Sequence, residues 1–396
     1  MVELLTPDVY VIEVAAGPRP IQAVGTRTAG FIGVAPKADA NRGAATAINN
    51  WLQFTRIYTD VKSASTPLSN AVFGFFQNGG SRCFVVNLGR GDGVDVGLTA
   101  LALEDEIAIV AAPGYDDVAS YEAILSHCEE LKDRVAILDG PLQVDDLGKL
   151  TTVITTVAAR GRAKGADTPP DEKAGLRPRV SPGGYGAFYF PGITIRDPLG
   201  GGLVDVAPSG HIAGVWARND AARGVHKAPA NEPIRGALNV TQRLTVAEQG
   251  VLNPYGVNCI RYFAREGIRI WGARTLADSA NEWRYLNVRR LFNMIEESIA
   301  EATRWIVFEP NNRELWKSIR RDVGAFLTRV WLDGALMGAT ASEAFFVKCD
   351  EETNPPETID AGQVVAIIGI APVKPAEFVI FQISQHAGGT ETEEGG

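Results

Sequence analysis

The residues able to do chemistry are few and scattered. His211 stands in Pro208-Ser-Gly-His-Ile-Ala-Gly214, a setting that could carry the general-base histidine of a nucleophilic triad. Such a base needs a nucleophile, and neither a Gly-Thr-Ser turn nor a Gly-x-Ser-x-Gly elbow occurs in the chain. His211 therefore reads as structural. Gly89-Arg-Gly-Asp-Gly93 follows a strand-like run, as a phosphate-cradling turn would. The third glycine of the dinucleotide fingerprint falls on Val94, however, and no βαβ unit is expected directly after it, so the segment reads as a turn. The embedded Arg-Gly-Asp is too short to carry information. Asn239-Val-Thr241 is a glycosylation sequon of no use to a cytosol-made protein. Cys83, Cys128, Cys259 and Cys349 are far apart without a CxxC pair and read as reduced, buried thiols. Four histidines without clustered cysteines leave little material for a metal centre, and no cofactor is expected.

Charge offers one further candidate. Arg313, Lys317, Arg320 and Arg321 fall on one or two adjacent faces of a predicted helix, with only Glu314 and Asp322 nearby. The face is either solvated or turned toward an acidic partner. Arg289, Arg290, Glu296 and Glu297 read as salt bridges within or between subunits, each worth little if exposed. Overall, 38 Lys+Arg against 47 Asp+Glu give a formal charge of −9, which argues against a nucleic-acid partner. A hydrophobic fraction of 45% is that of an ordinary globular protein, and 396 residues suggest two domains. No run approaches the ~18–20 apolar residues of a membrane span. The N-terminus lacks the basic flank and apolar run of a signal peptide.

The positioning elements follow from pattern. Strands are expected at Val9-Tyr-Val-Ile-Glu-Val14, 28–34, 83–88, 107–112, 135–139 and 186–190. Helices are expected from Asn50, from Leu68 to the Asn78-Gly79-Gly80 stop, over 121–131 and over 144–161. Apolar strands spaced by helices suit a mostly parallel sheet covered on both faces. Residues 161–183 read as an exposed loop. Beyond Pro254 a short strand at 268–271 precedes two long helices, 282–308 and 313–336, each with apolar residues at a spacing of three to four. Strands at 343–349, 364–368 and 377–383 follow, then a polar, acidic tail.

The chain thus begins and ends on a strand set apart by a Pro-rich linker, Ala15-Ala-Gly-Pro-Arg-Pro20 at one end and Ile370-Ala-Pro-Val-Lys-Pro375 at the other. Phe378 and Ile380 on one face, with Val379 and Phe381 on the other, call for cover on both sides. Such a strand either pairs within its own chain or adds to a neighbour's sheet, and pattern alone allows both.

Several motifs in one order carry a resemblance. Pro208-Ser-Gly-His-Ile-Ala-Gly214, Arg223-Gly-Val-His-Lys-Ala-Pro-Ala-Asn231, Gly267-Ile-Arg-Ile-Trp-Gly-Ala-Arg-Thr275, Trp283-Arg-Tyr-Leu-Asn-Val-Arg-Arg290, Ile295-Glu-Glu-Ser298, Phe308-Glu-Pro-Asn311 and Phe346-Val-Lys-Cys-Asp350 resemble the contractile tail sheath family. That family serves phages, phage-tail-like bacteriocins and contractile injection systems. Asp8, where relatives commonly carry Gly, is a departure that leaves the strand reading intact. The resemblance implies an α/β fold: a subtilisin-like outer domain (21–275) with a mostly parallel sheet, and an α+β inner domain (276–372) facing a tube. It implies a donor strand and linker over 1–20, with Val9, Tyr10, Val11 and Ile12, and a second donor strand over 373–386, with Phe378, Val379, Ile380 and Phe381. Residues 387–396 would be a disordered tail. The function implied is structural rather than enzymatic. Subunits would polymerise as a helical mesh around an inner tube in a metastable extended state, then contract to drive the tube through a target envelope. Partners would be other copies, the tube protein, and baseplate and terminal cap proteins, with a membrane met only through the whole particle. Assembly would take place in the bacterial cytoplasm, and Arg313, Lys317, Arg320 and Arg321 become candidates to face the tube. The His211 segment looks like that of a subtilisin-type triad without its nucleophile. A hydrolase and a non-contracting scaffold are the alternatives.

Overall fold

A computed structural model describes residues 20–155 and 175–380. The strand expected at 9–14, with Val9, Tyr10, Val11 and Ile12, lies outside the described residues. So do Phe381, the acidic tail and most of the expected 161–183 loop. In chain order the described residues form β1 (Ala29–Gly33), β2 (Thr46–Ile48), α1 (Trp51–Tyr58), α2 (Pro67–Gln77), β3 (Cys83–Asn87), α3 (Val94–Leu101), β4 (Ile109–Ala111), α4 (Val118–Leu131), β5 (Val135–Asp139) and β6 (Gly186–Phe190). There follow β7 (Ile193–Arg196), β8 (Leu203–Val206), α5 (Ser209–Arg223), β9 (Glu232–Pro233), β10 (Ala237–Val240), α6 (Val246–Leu252), β11 (Val257–Phe263) and β12 (Gly267–Trp271). The C-terminal part holds α7 (Leu286–Ala302), α8 (Arg313–Leu332), β13 (Phe345–Lys348) and β14 (Ile367–Ile370).

The main sheet has nine strands in the order β2-β3-β1-β4-β5-β6-β11-β12-β9. Strands β3 to β11 in that order run parallel, and β2, β12 and β9 are joined antiparallel at the two ends. In β1, Phe31 turns to one face and Ile32 to the other, and both are fully buried. This alternation with cover on both sides is why the central strands read as unbroken apolar runs. One face is sealed by α1, α2 and α5, the other by α3 and α4. Helix starts are marked by polar side chains. Asn50 accepts from the Gln53 amide, Thr66 and Ser69 form a reciprocal capping box ahead of α2, and Asp117 accepts from two amides of α4. A third core gathers around α7 and α8, with Ile21 from the N-terminal side joining Leu291, Trp316 and Phe326.

Three sequence expectations need correction. The helix expected over 144–161 is reduced, within the described residues, to one 3-10 turn at Leu147–Thr151. The β-branched residues that follow spend their backbone bonds on Arg177, whose carbonyl accepts from Ile154 and whose amide donates to Thr152. A helix and a parallel strand do follow Gly93, as α3 and β4, so the absence of a βαβ unit there was wrong. Gly97 hides the helix in sequence, but a side chain there would collide with Ile32, so glycine is what lets α3 lie against the sheet. The strand expected at 364–368 is instead Ile367–Ile370, paired antiparallel with β13.

Candidate functional site

The motif around His211 is a helix-packing device. A Cβ on Gly210 would stand 2.2 Å from the Ala71 backbone, and one on Gly214 would stand 2.4 Å from the Phe75 carbonyl oxygen. Small residues therefore let α5 meet α2 at backbone distance. His211 is fully buried over Gly74, and neither ring nitrogen has a hydrogen-bond partner among the described residues. Burial lowers its pKa to about 4. The nearby serine is engaged elsewhere: the Ser209 hydroxyl donates to Asp139 Oδ2 at 2.5 Å and its amide to Asp139 Oδ1 at 2.8 Å. Burial lifts the Asp139 carboxyl to about 7, held back by these two bonds at the start of α5. The arrangement fixes a helix and offers His211 no nucleophile.

A neutral buried histidine makes a pH prediction. The unfolded chain takes up a proton below about pH 6.5 while the folded chain does not until about 4, so stability rises with pH across that window. His211 alone should remove on the order of 3 kcal/mol as pH falls through it. Urea unfolding of wild type and His211→Leu from pH 7.5 to 4 should give a difference that changes mainly between 6.5 and 4. A flat difference would refute the assignment.

Charged groups join α5 to α7. Arg290, read in sequence as part of a salt bridge worth little if exposed, instead meets Asp220: their side chains are 3% and 2% exposed and bond bidentately at 3.0 and 2.7 Å. Arg290 also donates to the Thr26 carbonyl at 2.9 Å, the Thr26 hydroxyl donates to Asp220 Oδ2 at 2.7 Å, and the guanidinium lies over Trp216. Its neighbour Arg289 is stacked on Trp283 and Tyr185 while reaching Glu296. Burial, with Asp133 adding like charge, raises the Glu297 pKa to about 7. These residues hold the N-terminal segment, α5 and α7 together.

The C-terminal segment is anchored, then released. Ile370 closes β14, and the Val373 amide donates to the Ala335 carbonyl at 3.2 Å. The Val373 carbonyl accepts from Asn287 Nδ2, which also reaches the His226 carbonyl. The linker expected at 370–375 is thus bonded along its first half. Glu377 then enters a clasp: Arg274 donates to both carboxylate oxygens at 2.8 and 2.7 Å, and Asn253 Nδ2 donates at 2.9 Å. These bonds outweigh partial burial and lower the Glu377 pKa. Sequence reasoning did not find the clasp, because Arg274 and Glu377 are 103 residues apart. Directly beyond it, Phe378, Val379 and Ile380 are 73%, 68% and 82% exposed and pair with no strand among the described residues, which end before the last three residues of the expected 377–383 strand. The β13–β14 ribbon presents the complementary situation. Among the described residues each strand has only the other, and Phe346 and Ile367 are largely exposed. A two-stranded ribbon with open edges is marginal alone and invites a further strand.

The α8 cations are less free than the sequence suggested. Arg313 pairs with Glu351 at 2.7 Å, Lys317 with Glu314 at 2.9 Å and Arg321 with Asp322 at 2.9 Å, while the half-buried Arg320 donates to the Cys349 carbonyl. Arg313, Lys317 and Arg321 remain exposed. All four cysteines are free and buried, and burial raises their thiol pKa values, that of Cys259 to about 12.

The described residues thus combine a nine-stranded sheet, an exposed apolar segment beyond the Glu377 clasp and a two-stranded ribbon with no further strand among them. Comparison with known proteins places the chain in a family. Residues 95–276 match the phage tail sheath protein central domain and 278–386 the phage tail sheath C-terminal domain. Among solved structures, the anti-feeding prophage helical sheath in its contracted state is 30% identical, with 97% of this chain and 100% of that one covered and a TM-score of 0.76. The PVC sheath complex of an extracellular contractile injection system, also contracted, is 29% identical over 98% and 99% of the chains, with a TM-score of 0.80. The tail sheath protein of Salmonella phage ViI is 26% identical over 270 residues, 67% of this chain and 41% of that protein. The chain thus spans less than half the length of that curated relative. The chain belongs to the phage tail sheath family, and its mixed α/β fold with a large parallel sheet is that of contractile sheath subunits.

Proposed function

We propose that this chain is the structural, non-catalytic subunit of a contractile tail-like sheath. Copies polymerise as a helical mesh around an inner tube in a metastable extended state and contract to drive the tube through a target envelope. The observation that carries this is the exposed apolar 378–380 segment beyond the Glu377 clasp, in a chain that also holds a two-stranded ribbon with no further strand among the described residues. Adding that segment to a neighbour's ribbon supplies the missing ladder and buries side chains worth ~1.5–3 kcal/mol each. The pairing survives rotation of the bodies about the linkers, so subunits change packing without the lattice separating. On this reading, 21–275 is a subtilisin-like outer domain whose His211 does no acyl chemistry, and 276–372 is the inner domain. The 1–20 and 373–386 segments, with Val9 to Ile12 and Phe378 to Phe381, are donor strands. Baseplate and cap proteins complete the particle, which is assembled in the bacterial cytoplasm.

Negative-stain microscopy tests the reading: with its tube protein the chain should form long hollow helical particles, and a chain that stays monomeric beside intact tubes sinks it. The exposed face of α8 is proposed to meet an acidic tube surface. Lys317→Glu with Arg321→Glu should slow tube-templated assembly about ten-fold at low salt, with the difference shrinking as salt is added. Equal rates for variant and wild type at low salt would remove this face from the tube contact.

A further inference from the structure

Two features at opposite ends of the α7–α8 pair are unexplained by anything above. The first is a knob. Phe308 is fully exposed, Val307 beside it is 65% exposed, and Phe308 holds a left-handed backbone with φ of 72°. For a bulky side chain that conformation is strained, and no packing of the ring among the described residues compensates for it. The loop is nevertheless fixed in place. The Glu309 amide donates to the Ile306 carbonyl at 3.0 Å, and Asn311 is held by the Gln363 carbonyl at 2.8 Å and the Trp316 ring nitrogen at 2.8 Å. An aromatic side chain pre-positioned in water is an anchor without its socket.

The second feature is a groove of about 540 Å³ where the start of α7 faces the end of α8. Ile21, Leu291, Met294, Phe326 and Val330 contribute to its apolar lining. Its border carries the cations Arg223 and Arg329 against the single carboxylate of Asp333, with His226 beside them kept toward its neutral form by burial, a net cationic surround for an apolar hole. The knob carries the matching chemistry, since an exposed carboxylate, Glu309, directly follows Phe308. Knob and groove lie a helix length apart, about 25 Å along α8, so they cannot fill one another within one chain.

We propose that Val307 and Phe308 of one copy seat in the α7–α8 groove of a second copy, with Glu309 facing Arg223 and Arg329. The inference rests on the self-assembly proposed above and names a contact in it separate from strand addition. A contact between two different patches is heterologous, and one that does not close on itself builds an open helix.

The test uses the full chain with its tube protein. Phe308→Gly should leave the melting temperature equal to or above wild type, because glycine accepts the left-handed backbone, while sheath yield falls at least ten-fold. Glu309→Arg and Arg223→Glu should each weaken assembly, and together restore it. Because the native thiols are buried, Phe308→Cys with Gln22→Cys should give a disulfide ladder in oxidised sheaths, and a mixture of the two single variants should give dimers. Wild-type yield from Phe308→Gly overturns the contact, as does a crosslink to the tube protein from the thiol introduced by Phe308→Cys. The thiol introduced by Gln22→Cys could also be protected in the isolated chain and become reactive on deleting residues 1–19. That result would assign the groove to the chain's own N-terminal segment and overturn the contact too. If the unaltered chain forms no sheath, the proposed function fails instead.

Discussion

Asp220→Ala should destabilise the folded chain by about 3–5 kcal/mol, because it breaks a buried ion pair. Its partner Arg290 is 3% exposed, and removing the carboxylate leaves a buried guanidinium with, among the described residues, the Thr26 carbonyl and the Trp216 face. Much of the cost is that uncompensated charge rather than the strength of the pair. Replacing both residues with apolar ones of similar size, Asp220→Leu with Arg290→Met, should therefore recover most of the loss. Urea unfolding followed by circular dichroism reads both. A loss below about 1 kcal/mol for Asp220→Ala would mean that the pair does not hold α5 to α7. The single variant should also loosen residues 20–27, since Thr26 bonds both partners and the Val24 amide bonds Ser298 of α7. Hydrogen exchange there should rise in step.

Ending the chain after Glu377 should have the opposite profile: an intact subunit that builds nothing. Phe378, Val379 and Ile380 contribute little buried area to their own chain, so their removal should change stability by less than about 1 kcal/mol. The clasp is retained, which keeps the 370–377 segment in place. On the proposed strand addition the added strand is lost, and negative-stain microscopy should then find no helical particles. A truncated chain that polymerises like the full-length one would remove strand addition from the mechanism. Arg274→Ala separates anchoring from pairing: the strand is kept, its origin is not, and sheaths should form in lower yield and with poorer helical order.

The sequence announced the parts of this fold whose signals are local. β1, β3, β5 and β6 are unbroken apolar runs because both their faces are covered, and α2, α7 and α8 carry apolar residues at helical spacing, with polar caps on α2 and α8. The sequence also showed that Phe378 to Phe381 need cover on both faces, while leaving open whether it comes from this chain or a neighbour, and the described Phe378, Val379 and Ile380 are exposed. What escaped was either short or distant. β7, β8 and β10 have four residues each, and their outward side chains dilute the pattern. α3 has eight residues with a glycine inside it. The Asp220–Arg290 pair joins positions 70 residues apart, so no local pattern distinguishes it from an exposed pair. The α8 cations show the reverse error. Their spacing put them on one or two adjacent faces, but Arg320 is half-buried against the Cys349 carbonyl, and Glu351 reaches Arg313 from another part of the chain.

The clasp at Glu377 has a metric consequence. It converts a loose tail into a leash of fixed origin: the six residues from Phe378 to Ile383 reach no farther than about 20 Å when fully extended. Any ribbon paired through Ile383 must keep its edge within that radius of the owner's Glu377, whether the array is long and thin or short and wide. On the proposed strand addition the tether would permit swivelling while limiting how far paired neighbours can part. The largest stretch such an array can undergo is set by a count of residues rather than by the strength of any contact.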